Sequence, residues 1–505
     1  MKATIRLVTH CIGVVALLMT IQPAFTTAQQ EQKTLNFALS GDPDTLDPHK
    51  TSGTLTFQTV RSIYDTLVEP DMHGKLVPAL AERWESSGNR WTFHLRKSVF
   101  FHNGDPLTAA DVKATIERIM SEDIASPKAS EFQAIESVTT PDQYTVEVQL
   151  SSPIPLLASL ASGWGAILSK RLIDAEHDFG SQPVGTGPFE FVSWDRDSKI
   201  SLKKNPRYWM AGAPKLDRLD LHIIPEKSVQ LQGLLSGQID ISYIVDLDDV
   251  PVLEAEPEVR IENILTSLVM VLGMNCSKPP LDDLRVRQAI NHAIDKQKAL
   301  EVAYGGGEVV GTFMDYGNVY YKDFTAYYPY DPQRARQLLA QADIEKKRVL
   351  EIAVPQNYAP HVKAGEIYHA MLSAVGLNVK LRLVDWSTWL ADVYKGGKYD
   401  LTVIGHTGKL DPDLRLGGYG TPNTYVRWEH AQVADLLSRA KLSADFDSRK
   451  TLYHEALEVF AREVPHVYVG SSYRYIALRR QIVDFRIDPI IDTFDFRWTD
   501  KTTRP

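Results

Sequence analysis

The residue types that most often carry out catalysis are present here without the spacing that catalysis requires. The sequence contains no GxSxG nucleophile elbow, no HExxH zinc-binding pair and no CxxC cluster. The glycine run at 305–307 has the composition of a phosphate-binding loop, but no GK[ST] follows it, so it is interpreted as a loop after a helix. Cys276 lies beside an apolar run and is interpreted as a small buried hydrophobic residue. These patterns argue against an enzyme, and they predict neither a resident metal nor a cofactor.

Residues 1–28 have the three-part pattern of a secretory signal. Lys2 and Arg6 give a basic start, an apolar run follows at 11–21, and small residues precede a cleavage site predicted after Ala28. The run is shorter than the roughly 20 apolar residues that span a bilayer. We therefore expect an exported, cleaved chain. Cys276 would be its only cysteine, which excludes an intramolecular disulfide.

The composition is that of an ordinary globular protein. Hydrophobic residues make up 44% and charged residues 24% of the 505 positions, which excludes wholesale disorder. A chain of this length predicts two or three domains with a large buried core. The formal net charge of −9 argues against a nucleic-acid partner and against a polybasic membrane contact.

Strand and helix patterns alternate along the chain and predict an α/β fold. A strand at 34–39 is followed by a helix at 56–68. Thr108 is expected to cap a helix at 111–120, because an acidic residue stands three positions after it. Further on, strands at 349–354, 378–384 and 400–404 alternate with helices at 364–375 and 388–394. That order predicts a lobe with a mostly parallel sheet.

A series of sequence blocks runs in order along the chain. The blocks read TLDPH (45–49), YDTLV (64–68), LVPALAERW (76–84), WTFHLR (91–96), FFHNGDPLTAADV (100–112), PVGTGPF (183–189), KNPRYW (204–209), LLSGQID (234–240), VRQAINHAID (286–295) and YDPQRA (330–335). They resemble those of the peptide, opine and nickel class of periplasmic solute-binding proteins, and the resemblance runs from about residue 34 to 490. Each block alone is a weak signal, but together, in order and at this spacing, they are specific for the fold.

The resemblance implies a two-lobed, type II periplasmic binding protein fold with the ligand cleft between the lobes. Residues 29–265 would form lobe I, with an extra subdomain at about 51–185. Residues 266–478 would form lobe II, and 479–505 would return to lobe I. Such a protein captures its ligand by hinge closure, because a ligand that contacts both lobes favours the closed state.

The resemblance also implies where the hinge lies and which partners the protein meets. The hinge is expected at two strand crossings, near 265–275 and 476–485. The protein would be a periplasmic monomer that delivers a peptide or another small molecule to an inner-membrane ABC permease and its ATPase subunits.

Ligand contacts are expected, by the same resemblance, in loops of both lobes. The candidate residues are Ser52, Gly53, Thr54, Trp164, Gln356, Asn357, Trp386, His406, Thr407, Lys409, Asp411, Asp413 and Arg427. Hydroxyls and backbone amides at 52–54 could bind a ligand, although the same residues would also suit a plain helix cap and turn. Trp164 lies between glycines, which core packing alone explains poorly, so it is expected to line the cleft.

The loop at 405–413 departs from the dipeptide-binding members of the family. Those members have a Trp where His406 stands, and an Asp for the ligand's ammonium where Lys409 stands. They also carry an Arg for the ligand's carboxylate in the loop that corresponds to 355–360, which has none here. Charge-assisted hydrogen bonds contribute about 1.5–3 kcal/mol each. The missing anchors therefore disfavour a simple dipeptide.

Several ligands and roles stay open at this point. Asp411 or Asp413 could replace the missing Asp if the loop shifts, or Lys409, His406 and Arg427 could make the cleft suit an anionic, opine or sugar-like ligand. A nickel chelate is a further alternative within the family, with His406 as the histidine to watch. A role coupled to a chemosensory receptor rather than to an importer is also compatible with the sequence.

Overall fold

The computed structural model describes residues 32–342, 348–443 and 445–502. The predicted signal segment lies outside these residues. Within them, no helix combines the length and the apolar character needed to cross a membrane.

The first half of the chain contains eleven of the described strands and six of the described α-helices. The strands are β1 (Thr34–Leu39), β2 (Val68–Pro70), β3 (Leu76–Pro78), β4 (Ala81–Ser87), β5 (Arg90–Leu95), β6 (Ile135–Asp142), β7 (Thr145–Leu150), β8 (Phe189–Asp195), β9 (Lys199–Lys204), β10 (Arg218–Ile223) and β11 (Ile241–Ser242). The helices are α1 (Thr54–Val60), α2 (Ala109–Met120), α3 (Leu156–Ala161), α4 (Lys170–Asp174), α5 (Lys227–Ser236) and α6 (Val250–Glu254).

The second half continues the alternation. Its described strands are β12 (Val259–Met274), β13 (Gly307–Glu308), β14 (Val349–Pro355), β15 (Asn378–Val384), β16 (Leu401–His406), β17 (His466–Arg479), β18 (Ile482–Val483), β19 (Arg486–Asp488), β20 (Thr493–Asp495) and β21 (Asp500–Lys501). Its α-helices are α7 (Leu284–Ala293), α8 (Lys296–Tyr304), α9 (Pro332–Ala342), α10 (Ala359–Ala374), α11 (Trp386–Thr388), α12 (Asp413–Leu416), α13 (Ala431–Leu442) and α14 (Phe446–Glu463). A π-helix at Trp389–Lys395 follows α11.

One 11-stranded sheet runs through both lobes, in the order β15-β14-β16-β12-β17-β11-β1-β10-β9-β8, with β13 paired to β17. The antiparallel strands β12 and β17 carry it from one lobe to the other. In lobe II, β14 pairs in parallel with both β15 and β16, as the βαβαβ pattern predicts, but β16 pairs antiparallel with β12. The predicted two-lobed α/β fold is confirmed, and the sheet predicted to be mostly parallel in lobe II is mixed, because β12 pairs antiparallel with both β16 and β17.

The buried apolar residues form separate cores for each part of the fold. Phe37 lies in a lobe I core, and Phe93 lies in the core of a four-stranded antiparallel sheet, β4-β5-β7-β6, that is packed by α2. Two further cores fill the opposite faces of the lobe II sheet. Phe494 and Phe496 pack on Phe37 of β1 with ring centroids 4.6 and 5.2 Å apart, so the C-terminal segment lies against β1. The lobe boundaries given above remain a prediction.

The hinge contains an irregularity in the β12–β17 ladder. Leu265 pairs with Tyr473 and Val269 with Ser471, so residues 266–268 lie opposite a single residue of β17. The Thr266 hydroxyl donates a hydrogen bond to the carbonyl of Ser472 at 2.9 Å, which fixes this bulge. A bulge bends a strand and redirects its side chains. This bulge falls within the first predicted crossing, 265–275, and opposite residue 472 of β17, and the position of both crossings remains a prediction.

Local sequence signals account for several elements. The Thr108 amide donates to the Asp111 carboxylate at 2.8 Å, which is the expected capping box of α2. The predicted helix at 56–68 ends at Val60, and the predicted helix at 388–394 is divided between α11 and the π-helix. Burial raises the pKa of the Cys276 thiol to about 12, as expected for an unreactive cysteine.

Candidate ligand site between the lobes

A cavity of about 440 Å³ lies at the hinge, between the lobes. Ser52, Thr54 and Trp164 line it from lobe I, and Thr407 and Lys409 line it from lobe II. The bulged hinge residues at 266–268 form part of the remaining wall, and the chain's return at 489–492 forms another part. The cavity is therefore built from segments that are far apart in the sequence.

The loop that carries Ser52 and Thr54 is held from beneath by Asp44. The Asp44 carboxylate accepts hydrogen bonds from the Thr51 hydroxyl at 2.8 Å and from the Thr56 hydroxyl at 2.5 Å. The Thr51 hydroxyl in turn accepts the amide of Gly53 at 2.8 Å. Ser52 and Thr54 are left exposed to the cavity with their hydroxyls available to a ligand, whereas Gly53 itself only caps α1.

Trp164 lies on a short 3₁₀ turn, Gly163–Gly165, that brings the indole to the cavity wall. The flanking glycines are needed for packing, since a Cβ on Gly165 would lie 2.5 Å from the carbonyl oxygen of Leu160. The indole packs edge-to-face on Phe57, with ring centroids 5.5 Å apart. Its Nε1 is buried and has no hydrogen-bond partner among the described residues, which is a costly arrangement for a donor.

A buried polar network holds the turn that carries Trp164. Arg118 donates to both oxygens of Asp47, at 2.6 and 3.1 Å, and to Nδ1 of His49 at 2.8 Å. Nε2 of His49 donates to the carbonyl of Ala166 at 3.1 Å. His49 is therefore neutral, with its proton on Nε2. Burial and the charge of Arg118 lower its pKa to about 4.

This histidine makes stability depend on pH. The unfolded chain protonates His49 near pH 6.5 and the folded protein only near pH 4, so the unfolded state binds more protons between these values. The free energy of unfolding should fall as the pH drops from 6.5 to 4, by up to about 1.4 kcal/mol per pH unit from this group. Urea unfolding at pH 7, 6 and 5 measures the slope, which His49→Gln should reduce by about one proton.

Glutamine suits this test because it can still accept from Arg118 and donate to Ala166. The matched control is His73→Gln, at an exposed histidine, which should leave the wild-type slope unchanged. A His49→Gln slope equal to that of the wild type would contradict the assignment.

The loop after β16 contributes Thr407, Gly408 and Lys409 to the cavity. The Gly408 amide donates to the Ser267 hydroxyl at 3.2 Å, and Arg415 donates to the Thr407 carbonyl at 2.5 Å, so both the hinge and α12 hold the loop. Burial lowers the pKa of Lys409, and the charge of Arg415 acts in the same direction.

The cavity carries both signs of charge. Lys128 lies 3.6 Å from Glu131, and Arg474 is paired with Asp492. Lys409 has no carboxylate partner within the described part of the chain. An unpaired, half-buried ammonium in a cavity wall is suited to bind an anionic group of a ligand.

Comparison with known proteins agrees with this architecture. Residues 75–424 match the model of the bacterial extracellular solute-binding proteins, family 5 Middle. The chain belongs to this family. It is 29% identical to di/tripeptide-binding protein 1 of Pseudomonas aeruginosa strain UCBPP-PA14, over 90% of this chain and 92% of that one. The resemblance inferred from the sequence blocks is thus confirmed, and the family is one of solute-binding proteins rather than enzymes.

Solved structures show the same fold. HbpA2 from Haemophilus parasuis superposes with a TM-score of 0.84 at 26% identity, covering 93% of this chain and 100% of that one. DppA from Helicobacter pylori, in complex with the peptide STSA, superposes with a TM-score of 0.70 at 27% identity, covering 93% of this chain and 98% of that one.

His406 of this solute-binding protein lies beside the cavity without lining it. Its ring is enclosed in an aromatic cluster, where Nε2 donates to the Tyr425 hydroxyl at 2.9 Å and Nδ1 accepts from Arg415 at 3.1 Å. Burial and the charge of Arg415 place its pKa well below the usual range. His406 therefore positions the arginine that holds Thr407. Within the described residues, no group of three or more His, Cys, Asp or Glu side chains could hold a metal ion.

Three other charged candidates already have partners within the protein. Asp411 forms a two-point ion pair with Arg449, at 2.5 and 2.8 Å. Asp413 lies 3.7 Å from Lys441. Arg427 donates to two backbone carbonyls, at 2.7 and 2.9 Å. None of the three lines the cavity. The hypothesis that Asp411 or Asp413 replaces the missing ammonium anchor therefore finds no support here. Of the proposed cationic residues, Lys409, His406 and Arg427, only Lys409 lines the cavity.

The remaining candidates lie at the carboxyl ends of β14 and β15, on the same edge of the sheet as the Lys409 loop. Gln356 and Asn357 are exposed there, and Trp386 stacks on Trp389 with ring centroids 5.1 Å apart. All three candidates lie outside the cavity lining.

Several cavity residues gave no sequence signal. Glu131 lies on a short 3₁₀ segment, Ala129–Glu131, and Lys128 caps it, Arg474 lies on β17, and Asp492 lies in the C-terminal return. Only the alternation of β17 could have indicated Arg474, and nothing local distinguishes the other three from surface charges.

Proposed function

We propose that this solute-binding protein captures a short peptide or peptide-like molecule in the periplasm and delivers it to the membrane permease of an ABC importer. The observation that carries the proposal is the hinge cavity, which has one wall in each lobe and polar groups on both walls. A ligand that contacts both walls stabilises the closed state, which is the state a permease can distinguish from the empty one.

The polar groups of the cavity suit the two ends of a peptide. Lys409 is a donor in the cavity lining that can approach a carboxylate. Glu131 and Asp492 are the carboxylates in the lining, and an ammonium would share them with their present partners Lys128 and Arg474. The volume of about 440 Å³ lies within the range of small-molecule sites. The names of the relatives, a di/tripeptide-binding protein and a peptide complex of DppA, support the same class of ligand.

The proposal is tested by isothermal titration of the mature protein, after unfolding and refolding to remove any ligand carried through purification. The probes are Ala-Ala-Ala, its N-acetylated form and its C-terminal amide, with glucose and a nickel–histidine chelate as competing classes. We expect binding of free Ala-Ala-Ala with a Kd in the micromolar range or tighter, and at least tenfold weaker binding of each capped form.

The expected loss follows because capping removes one charge-assisted contact at one end of the peptide. Binding of glucose or the nickel chelate without binding of any peptide would overturn the proposal. Equal affinity for free and capped peptides would overturn the role given to the charged groups.

A further inference from the structure

A second cavity, of about 490 Å³, lies between lobe II and the part of lobe I that contains the four-stranded sheet β4-β5-β7-β6. Its walls are largely apolar. Trp84, Trp91, Ile154 and Leu157 line it on one side, and Phe446 lines it on the other. Phe446 is 43% exposed although it is a large hydrophobic residue. The cavity therefore presents aromatic and aliphatic surfaces from two parts of the molecule to the same space.

Both carboxylates that line this second cavity have partners. Asp411 is neutralised by Arg449, with contacts of 2.5 and 2.8 Å, and Glu85 lies 3.3 Å from Nε2 of His94. Two lysines, Lys75 and Lys441, also line the cavity, and Lys441 lies 3.7 Å from Asp413. The second cavity thus offers an occupant chiefly aromatic and aliphatic contact, with its carboxylates already paired.

The two cavities meet at a single residue. Lys409 lines the hinge cavity, Asp411 lines the second cavity, and Leu410 between them lines both. Consecutive residues of a chain are 3.8 Å apart, and an extended peptide advances by a similar step of about 3.4 Å per residue. A tripeptide with its carboxylate at Lys409 is therefore long enough to place a side chain in the second cavity.

We propose that the second cavity is a specificity subsite that takes an apolar, preferably aromatic, side chain of the ligand whose charged ends occupy the hinge cavity. The inference rests on the proposed function. Aromatic rings interact favourably with other aromatic rings in edge-to-face or offset arrangements, and Trp84, Trp91 and Phe446 supply such partners. The subsite would select among peptides by one side chain, independently of their charged ends.

The test compares Ala-Ala-Ala with Phe-Ala-Ala, Ala-Phe-Ala and Ala-Ala-Phe, each titrated into the wild type and into Phe446→Ala. In the wild type, phenylalanine at one position should tighten binding about tenfold relative to Ala-Ala-Ala, because a ring leaves water for an apolar wall. In Phe446→Ala this selectivity ratio should fall to about two or less. Tyr330→Ala is the matched control, since Tyr330 is an exposed aromatic residue, at 51%, that lines neither cavity.

Each other outcome has a definite meaning. Equal weakening of all four peptides by Phe446→Ala, with the ratio unchanged, would show that Phe446 does not contact the phenylalanine side chain, and would overturn the subsite. A wild type that binds all four peptides with the same affinity would overturn it as well. Absence of binding by every peptide would instead overturn the proposed function itself. Circular dichroism melting verifies that each variant is folded.

Discussion

Replacing Lys409 by glutamine should weaken the binding of Ala-Ala-Ala about ten- to a hundredfold. The lysine lines the hinge cavity, is half-buried, and has no carboxylate partner within the described residues. A charge-assisted hydrogen bond to the ligand's carboxylate contributes about 1.5–3 kcal/mol, and each 1.4 kcal/mol is about a factor of ten in Kd. Isothermal titration measures the change, and stability should stay near that of the wild type.

The C-terminal amide of the same peptide identifies the contact. If Lys409 binds the peptide's carboxylate, Lys409→Gln should cause little further loss with the amide, because that peptide has no carboxylate to bind. Lys298→Gln is the matched control: it removes the same charge from an exposed position that lines neither cavity. Unchanged binding of free Ala-Ala-Ala by Lys409→Gln would show that this lysine is not an anchor.

Replacing Asp411 by alanine should lower the free energy of unfolding by about 3–5 kcal/mol. Asp411 and Arg449 form a two-point pair at 2.5 and 2.8 Å, with side chains only 7% and 16% exposed. Removing one partner of a buried pair leaves the other charge without compensation, which is the source of this cost. Urea unfolding followed by circular dichroism measures the loss.

Two further variants make this second prediction specific. Asp413→Ala is the control, since Asp413 lies 3.7 Å from the exposed Lys441, and it should change stability by less than about 1 kcal/mol. Adding Arg449→Met to Asp411→Ala should recover part of the loss, because no unpaired charge then remains. A single Asp411→Ala variant within 1 kcal/mol of the wild type would refute the role of the pair.

Together these two variants separate neighbouring residues of one loop by function. Lys409 is expected to change affinity without changing stability, and Asp411 is expected to change stability first. The difference follows from their partners, since Asp411 is neutralised within the protein and Lys409 is left to the ligand.

The sequence by itself determined the family and the architecture of this protein. The signals that carried this information are local: the ordered blocks from 45 to 335, the capping box of Thr108 and the βαβαβ alternation of lobe II. Each depends on hydrogen bonds or burial within a short stretch of chain, so the sequence pattern alone predicts it. Trp164, between its glycines, and Lys409, in the loop after β16, were both expected to line the cleft, and both line the hinge cavity.

Only the tertiary structure decided which polar residues are free to meet a ligand. His406, Asp411 and Arg427 have suitable chemistry, but Tyr425, Arg449 and backbone carbonyls already satisfy them. Lys128 and Asp492, which no local signal marked, reach the cavity because the subdomain and the C-terminal return fold against the hinge. A buried polar group must be paired, and the partner lies outside the local pattern, 19 residues away for His406 and Tyr425 and 38 for Asp411 and Arg449.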